Sequence, residues 1–98
     1  MWPPVLPWRT EPAATVLSPA DAVVDYAGDV KGLGLVLILR VSGDYRIVMA
    51  GLDKVSALTG RRLVTGEPIG RMPQTTAPEL FLEVRRAEQT VNPGNFFR

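Results

Sequence analysis

The sequence predicts an all-β domain, a compact antiparallel barrel-sandwich, on three observations. Short apolar runs with two-residue alternation are separated by turn residues along most of the chain. No window sustains a 3.6-residue apolar period. Glycine and proline number nine each, a density that interrupts helices far more than it interrupts short strands.

The opening segment MWPPVLPWRTEP is proline-rich. Proline withholds a backbone donor and keeps the chain extended, so residues 1–11 read as an arm leading into a domain over 12–98. Trp2 and Trp8 are placed as caps on the core. Next come ATVLS, a turn at SPAD, AVVDYAG, a turn at DVKG, LGLVLILRV, a turn at SGD and YRIVMAGL, an antiparallel rhythm of strand and turn. Its clearest unit is LILRVSGDYRIV, two strand-forming runs joined by Ser42, Gly43 and Asp44 as a hairpin. Within VSALTGRRLVTGEPIGRM, Gly60, Gly66 and Gly70 separate short apolar pairs, and each is expected to mark a tight turn. PQTTAP reads as a loop, ELFLEVRR as a central strand, and TVNPGNFF as a closing turn with a terminal aromatic pair. No internal repeat is present.

Composition narrows the function. A 98-residue chain supports one core and no separate catalytic domain. The longest apolar run, Leu33 to Leu39, is too short to span a bilayer and ends at Arg40, so no membrane insertion is expected. The first residues lack a basic region and an uninterrupted apolar stretch, so the chain as given carries no secretory signal. Residues 1–53 hold four basic and six acidic side chains, and residues 54–98 hold seven and four. That asymmetry is too mild for a nucleic-acid surface, which needs a dense basic patch. Cysteine and histidine are both absent, removing disulfides, thiolate ligands, the commonest zinc ligand and the commonest general base.

Other constellations have ordinary readings. Asp21, Asp25 and Asp29 recur at every fourth position, yet they fall in a turn, a strand and the position after Gly28, so converging oxygens for a hard cation are not expected. Glu79 and Glu83 lie about 13 Å apart along one strand, beyond the roughly 5–9.5 Å separation of a glycosidase pair. Ser18, Ser42 and Ser56 have no histidine to serve as base, and no Gly-rich run has phosphate-loop spacing. Lys54, in LDKV, resembles the lysine of lipoyl or biotinyl carrier domains, but such a lysine belongs at a hairpin tip, with its symmetric half further along.

PELFLEVRR, Pro78 to Arg86, is the most informative stretch. As a strand it puts Leu80, Leu82 and Val84 on one face and Glu79, Phe81, Glu83 and Arg85 on the other. The first face is core. On the second, an aromatic stands among charges. Either the proline-rich arm or the PQTTAP loop covers Phe81, or the residue belongs to a binding surface, where aromatic and Arg side chains carry most of the energy.

Taken together, VLSPADAVVDYAG, YRIVMAGLDKVSALTGRRLVTGEPIGRM and PELFLEVRRAEQTVNP resemble, in order and spacing, the lysostaphin-like (LytM) peptidoglycan metallopeptidase domain. The resemblance covers about residues 12–97 and implies a barrel-sandwich of the duplicated hybrid motif type. In active members the last stretch reads His-Leu-His-Phe-Glu-Val-Arg and the middle one Tyr-Ala-His-Leu, and an upstream His and Asp complete a zinc site. Here Glu79 and Phe81 stand at two of the histidine places and Gly51 at the third.

The chain therefore resembles the degenerate, EnvC-type branch, whose members bind and activate N-acetylmuramoyl-L-alanine amidases in the Gram-negative periplasm during cell division. This implies a domain without catalysis, cofactor or metal. Its vacated groove, lined by Gly51, Glu79, Phe81, Glu83 and Arg85, would take an amidase segment. In that branch an aromatic stands at the second histidine place and an Arg just beyond the Glu, the places of Phe81 and Arg85. A peptidoglycan-binding scaffold without amidase activation is the alternative on the same fold, and a lipoyl or biotinyl carrier is the other.

Overall fold

A computed structural model describes residues 5–86 and 89–91, with side chains described for 9–86. The described residues form strands and turns, with no helix. The strands are β1 (Val5–Arg9), β2 (Thr15–Leu17), β3 (Ala22–Val30), β4 (Gly34–Val41), β5 (Tyr45–Leu52), β6 (Lys54–Val55), β7 (Arg62–Leu63), β8 (Pro68–Arg71), β9 (Glu79–Arg86) and β10 (Gln89–Val91). A seven-stranded sheet runs β1-β9-β5-β4-β3-β7, with β10 also pairing β9, and a three-stranded sheet runs β2-β8-β6. Every pairing is antiparallel.

One face of the large sheet packs on the small one. Leu37, Leu39, Ile47, Met49, Leu82 and Val84 of the large sheet share the buried cluster with Val16 and Ile69 of the small sheet. Alternation along β4, β5 and β9 sends every second side chain into this layer, as a sheet with one covered face requires. On β9, Leu80, Leu82 and Val84 are buried and Phe81 is 41% exposed, the two faces expected of PELFLEVRR.

Turn chemistry holds at several predicted places. Val41 pairs with Tyr45 across Ser42, Gly43 and Asp44, where Gly43 and Asp44 both have positive φ. Gly60 and Gly66 also have positive φ in turns. Gly70 differs: it lies inside β8 and has no positive φ. A Cβ there would come within 2.5 Å of the Lys54 carbonyl oxygen, so this glycine admits a close strand approach rather than making a turn.

The β3–β4 turn falls at Lys31–Leu33 rather than at DVKG, because β3 continues through Val30. The proline-rich arm enters the sheet over Val5–Arg9, with Pro7 opposite Phe81. Proline is tolerated there because β1 is an edge strand. Thr90 and Val91, read as part of a closing turn, instead pair with Arg85 and Val84. Trp2, the Trp8 side chain and the terminal aromatic pair lie outside the described residues.

Candidate functional site

Strand β9 joins the candidate residues into one surface. Its inner neighbour is β5, with Ala50 opposite Phe81, Val48 opposite Glu83 and Arg46 opposite Arg85. On its other edge, β1 covers Glu79 to Glu83 and β10 covers Val84 to Arg86. With both edges paired, the backbone of β9 is held fixed, and Glu79, Phe81, Glu83 and Arg85 project together from the face away from the core.

Gly51 ends up beside them. Its φ is +96°, and a Cβ built there would lie 2.4 Å from the Glu79 carbonyl oxygen and 3.4 Å from Cδ2 of Phe81. Real Cβ atoms do not approach a backbone oxygen that closely, and a side chain at this φ is strained in any case. The end of β5 thus closes onto the start of β9 because residue 51 lacks a side chain.

A cleft of about 510 Å³ opens on this surface, lined by Gly32, Leu33, Val48, Ala50, Gly51, Phe81 and Glu83. Leu33, at the tip of the β3–β4 turn, is 63% exposed across the cleft from Phe81. Sequence reasoning missed Leu33, since a leucine between two glycines looks like the start of the following strand. Glu79 and Arg85 flank the cleft without lining it. Arg85 donates from Nε to Oε1 of Glu83 at 2.7 Å.

A second feature of the face escaped the sequence reading. Arg40 pairs in register with Arg46, and Arg46 with Arg85, so three guanidinium groups line up across β4, β5 and β9. Asp25 sits at the β3 bulge between Val24 and Tyr26. It accepts from Nε of Arg40 at 3.0 Å and from Nε of Arg46 at 2.9 Å. Partial burial pushes its carboxyl up, but the Arg46 and Arg40 hydrogen bonds and charges outweigh that and leave it below the usual range. The signal was available: a hairpin closed by Val41 and Tyr45 must oppose Arg40 and Arg46.

The other acidic residues are employed elsewhere. Asp21 accepts from the Thr65 backbone N–H at 2.8 Å and from its hydroxyl at 2.9 Å, which lowers its carboxyl. Asp29 is a β3 residue whose carbonyl accepts from the Tyr26 hydroxyl. Lys54 lies in β6, paired with Arg71, not at a hairpin tip.

The residues at the three histidine places do not fit a zinc ion. Zinc needs at least three protein ligands; of the three places only Glu79 carries a donor side chain, and the chain holds no histidine to fill the upstream place. Among the described residues no group of three or more His, Cys, Asp or Glu side chains converges.

Residues 6–93 match the profile of Peptidase family M23. The uncharacterized protein NMB1333 of Neisseria meningitidis serogroup B is 32% identical over 93 residues, which are 93% of this chain and 15% of that protein. Helicobacter pylori Csd3 superposes with a TM-score of 0.84 at 23% identity, over 94% of this chain and 26% of Csd3. The catalytic domain of the antimicrobial peptidase lysostaphin from Staphylococcus simulans gives 0.80 at 19% identity, over 93% of this chain and 75% of that one. The chain thus spans about 15% of the Neisseria protein and about 26% of Csd3.

Proposed function

Because the chain belongs to peptidase family M23, we propose that it is a non-catalytic, EnvC-type domain of that family. In this reading it works in the periplasm, where it binds an N-acetylmuramoyl-L-alanine amidase through the outer face of β9. Binding activates the amidase for peptidoglycan cleavage during cell division.

The observation that carries the reading is the backbone at Gly51. In the resemblance this place belongs to a histidine, but at φ +96° and 2.4 Å from the Glu79 oxygen no side chain is accommodated without moving β9. The third histidine place is thus filled by the main chain of β9, and a side chain restored there would meet the Glu79 carbonyl. At the second histidine place, Phe81 offers an aromatic ring with no lone pair for a metal. Peptide-bond hydrolysis by this family's chemistry needs a metal-bound water, and these residues offer no means of holding one.

The same surface suits binding. Phe81 and Leu33 both expose apolar area to one cleft, and a concave apolar floor with polar groups at its margin is the usual form of a peptide or ligand groove. Phe81 supplies area for a partner to cover, and Arg85, braced by Glu83, supplies a planar donor for a carboxylate or carbonyl.

The test is dye release from labelled peptidoglycan. With a purified amidase, the chelator-washed chain is expected to raise the rate severalfold, and alone to release nothing. Release by the chain alone, or stoichiometric zinc retained through the wash, would overturn the non-catalytic reading. An amidase rate unchanged by saturating chain would overturn activation.

A further inference from the structure

The arginine row has a physical cost that its internal pairing does not remove. Like charges directly opposite on neighbouring strands repel, and here two successive pairs, Arg40 with Arg46 and Arg46 with Arg85, do so. Asp25 and Glu83 offset part of this, but two carboxylates stand against three cations. All three side chains are about half exposed.

The way these arginines are held is specific. In each, the hydrogen bond to a carboxylate leaves from Nε, and among the described residues the terminal nitrogens have no partner. A carboxylate on Nε fixes the plane of the guanidinium and leaves its two-nitrogen end free, the end that matches a second carboxylate. Asp25 does this for two arginines at once, one on each carboxylate oxygen, from the bulge in β3. The result is an ordered set of anion receptors about 4.8 Å apart from strand to strand.

The row lies on the same sheet face as the apolar cleft. Along β9, Arg85 is four residues from Phe81, and along β5, Arg46 is four from Ala50, a separation of about 13 Å. We propose that the row binds an acidic peptide segment, whose carboxylates meet the free ends of Arg40, Arg46 and Arg85 while neighbouring apolar residues enter the cleft beside Phe81. This rests on the groove reading above and adds the chemistry of the docking segment: acidic at one end, apolar at the other.

A peptide suits the surface better than a nucleic acid. Glu83 stands between the row and the cleft, and Glu79 lies just beyond Phe81, so a continuous phosphate backbone would meet a carboxylate on the way into the cleft and another past it. A peptide meets a mixed surface residue by residue. The chain's net charge of +1 likewise supplies no broad field for a polyanion.

The experiment uses two short fluorescein-labelled peptides, one with two Glu at one end and two Leu at the other, and one with Gln in place of Glu. Binding is followed by anisotropy at low and moderate salt. The Glu peptide is expected to bind about tenfold more tightly at low salt, as charge-assisted hydrogen bonds allow, and salt should narrow that margin. Arg40→Gln with Arg46→Gln should erase the preference while the Gln peptide binds as before. If the double variant melts early, Arg46→Lys, which keeps a cation beside Asp25, should weaken the Glu peptide severalfold and leave the Gln peptide unchanged.

Equal affinity for the two peptides, or a preference that survives these substitutions, would overturn the assignment. A single-stranded oligonucleotide that binds as tightly as the Glu peptide would overturn it too. The amidase assay is scored separately. A Glu preference without amidase stimulation sinks the proposed function and leaves the acidic-segment site standing; stimulation without a Glu preference does the reverse.

Discussion

The two faces of the large sheet are built from the same strands and obey different rules. On the buried face, Leu37, Leu39, Ile47, Met49, Leu82 and Val84 are at most 1% exposed, and each is explained by the apolar area it removes from water. On the outer face the same strands carry Arg40, Arg46, Phe81, Glu83 and Arg85. None of these is required for burial, and the row of like charges opposes folding. The inner face is what holds the fold together, and the outer face is where the chain departs from what folding alone would select.

That contrast is broken most forcefully from inside. Leu82→Ala should cost about 2–5 kcal/mol, through lost transfer energy and the cavity left between the sheets. Thermal or urea unfolding would show it, and a loss under about 1 kcal/mol would mean that the core is not organised around β9. Gly51→Ala should come next, at about 2 kcal/mol or more, since it forces a Cβ against the Glu79 carbonyl at a φ that costs any L residue. A neutral Gly51→Ala would remove the main support for a closed third histidine place. Phe81→Ala, on the outer face, should change stability by less than about 0.5 kcal/mol.

The smallest expected effect is in acid. The folded-state carboxyl of Asp25 is lowered, so its contribution is present above the unfolded carboxylate value of about 3.9 and lost as pH falls through the lower folded value. The melting temperature should therefore drop below about pH 4, and Asp25→Asn should make that drop shallower. Asp21, lowered by its Thr65 hydrogen bonds, contributes in the same direction, so some slope should remain. An identical acid profile for Asp25→Asn would show that the Arg40–Asp25–Arg46 bridge is not formed in solution.

Legibility in the sequence followed the same division. Alternation over Pro78 to Arg86 revealed both faces of β9, because burial imposes a period of two on neighbouring residues. The Ser42-Gly43-Asp44 turn was legible for a similar local reason. What escaped was set by residues distant in sequence. Gly70 looked like a turn glycine, yet its role depends on the Lys54 carbonyl across the small sheet. Val5–Arg9 lost its strand signal to prolines that an edge position tolerates. Arg40, Arg46, Asp25 and Leu33 acquire meaning only when register and bulge place them on the face that Phe81 shares. The histidine places could be counted from the sequence, but the backbone closure at Gly51 could not.

In this picture the outer face of β9 serves a partner and not the fold. The most direct measurement is amidase-dependent dye release from labelled peptidoglycan with Phe81→Ala beside wild type, with a melting curve for each. Matching melts are expected, with at least about tenfold weaker half-maximal stimulation for Phe81→Ala, the scale of a hot-spot truncation. Matching melts with stimulation equal to wild type would contradict it.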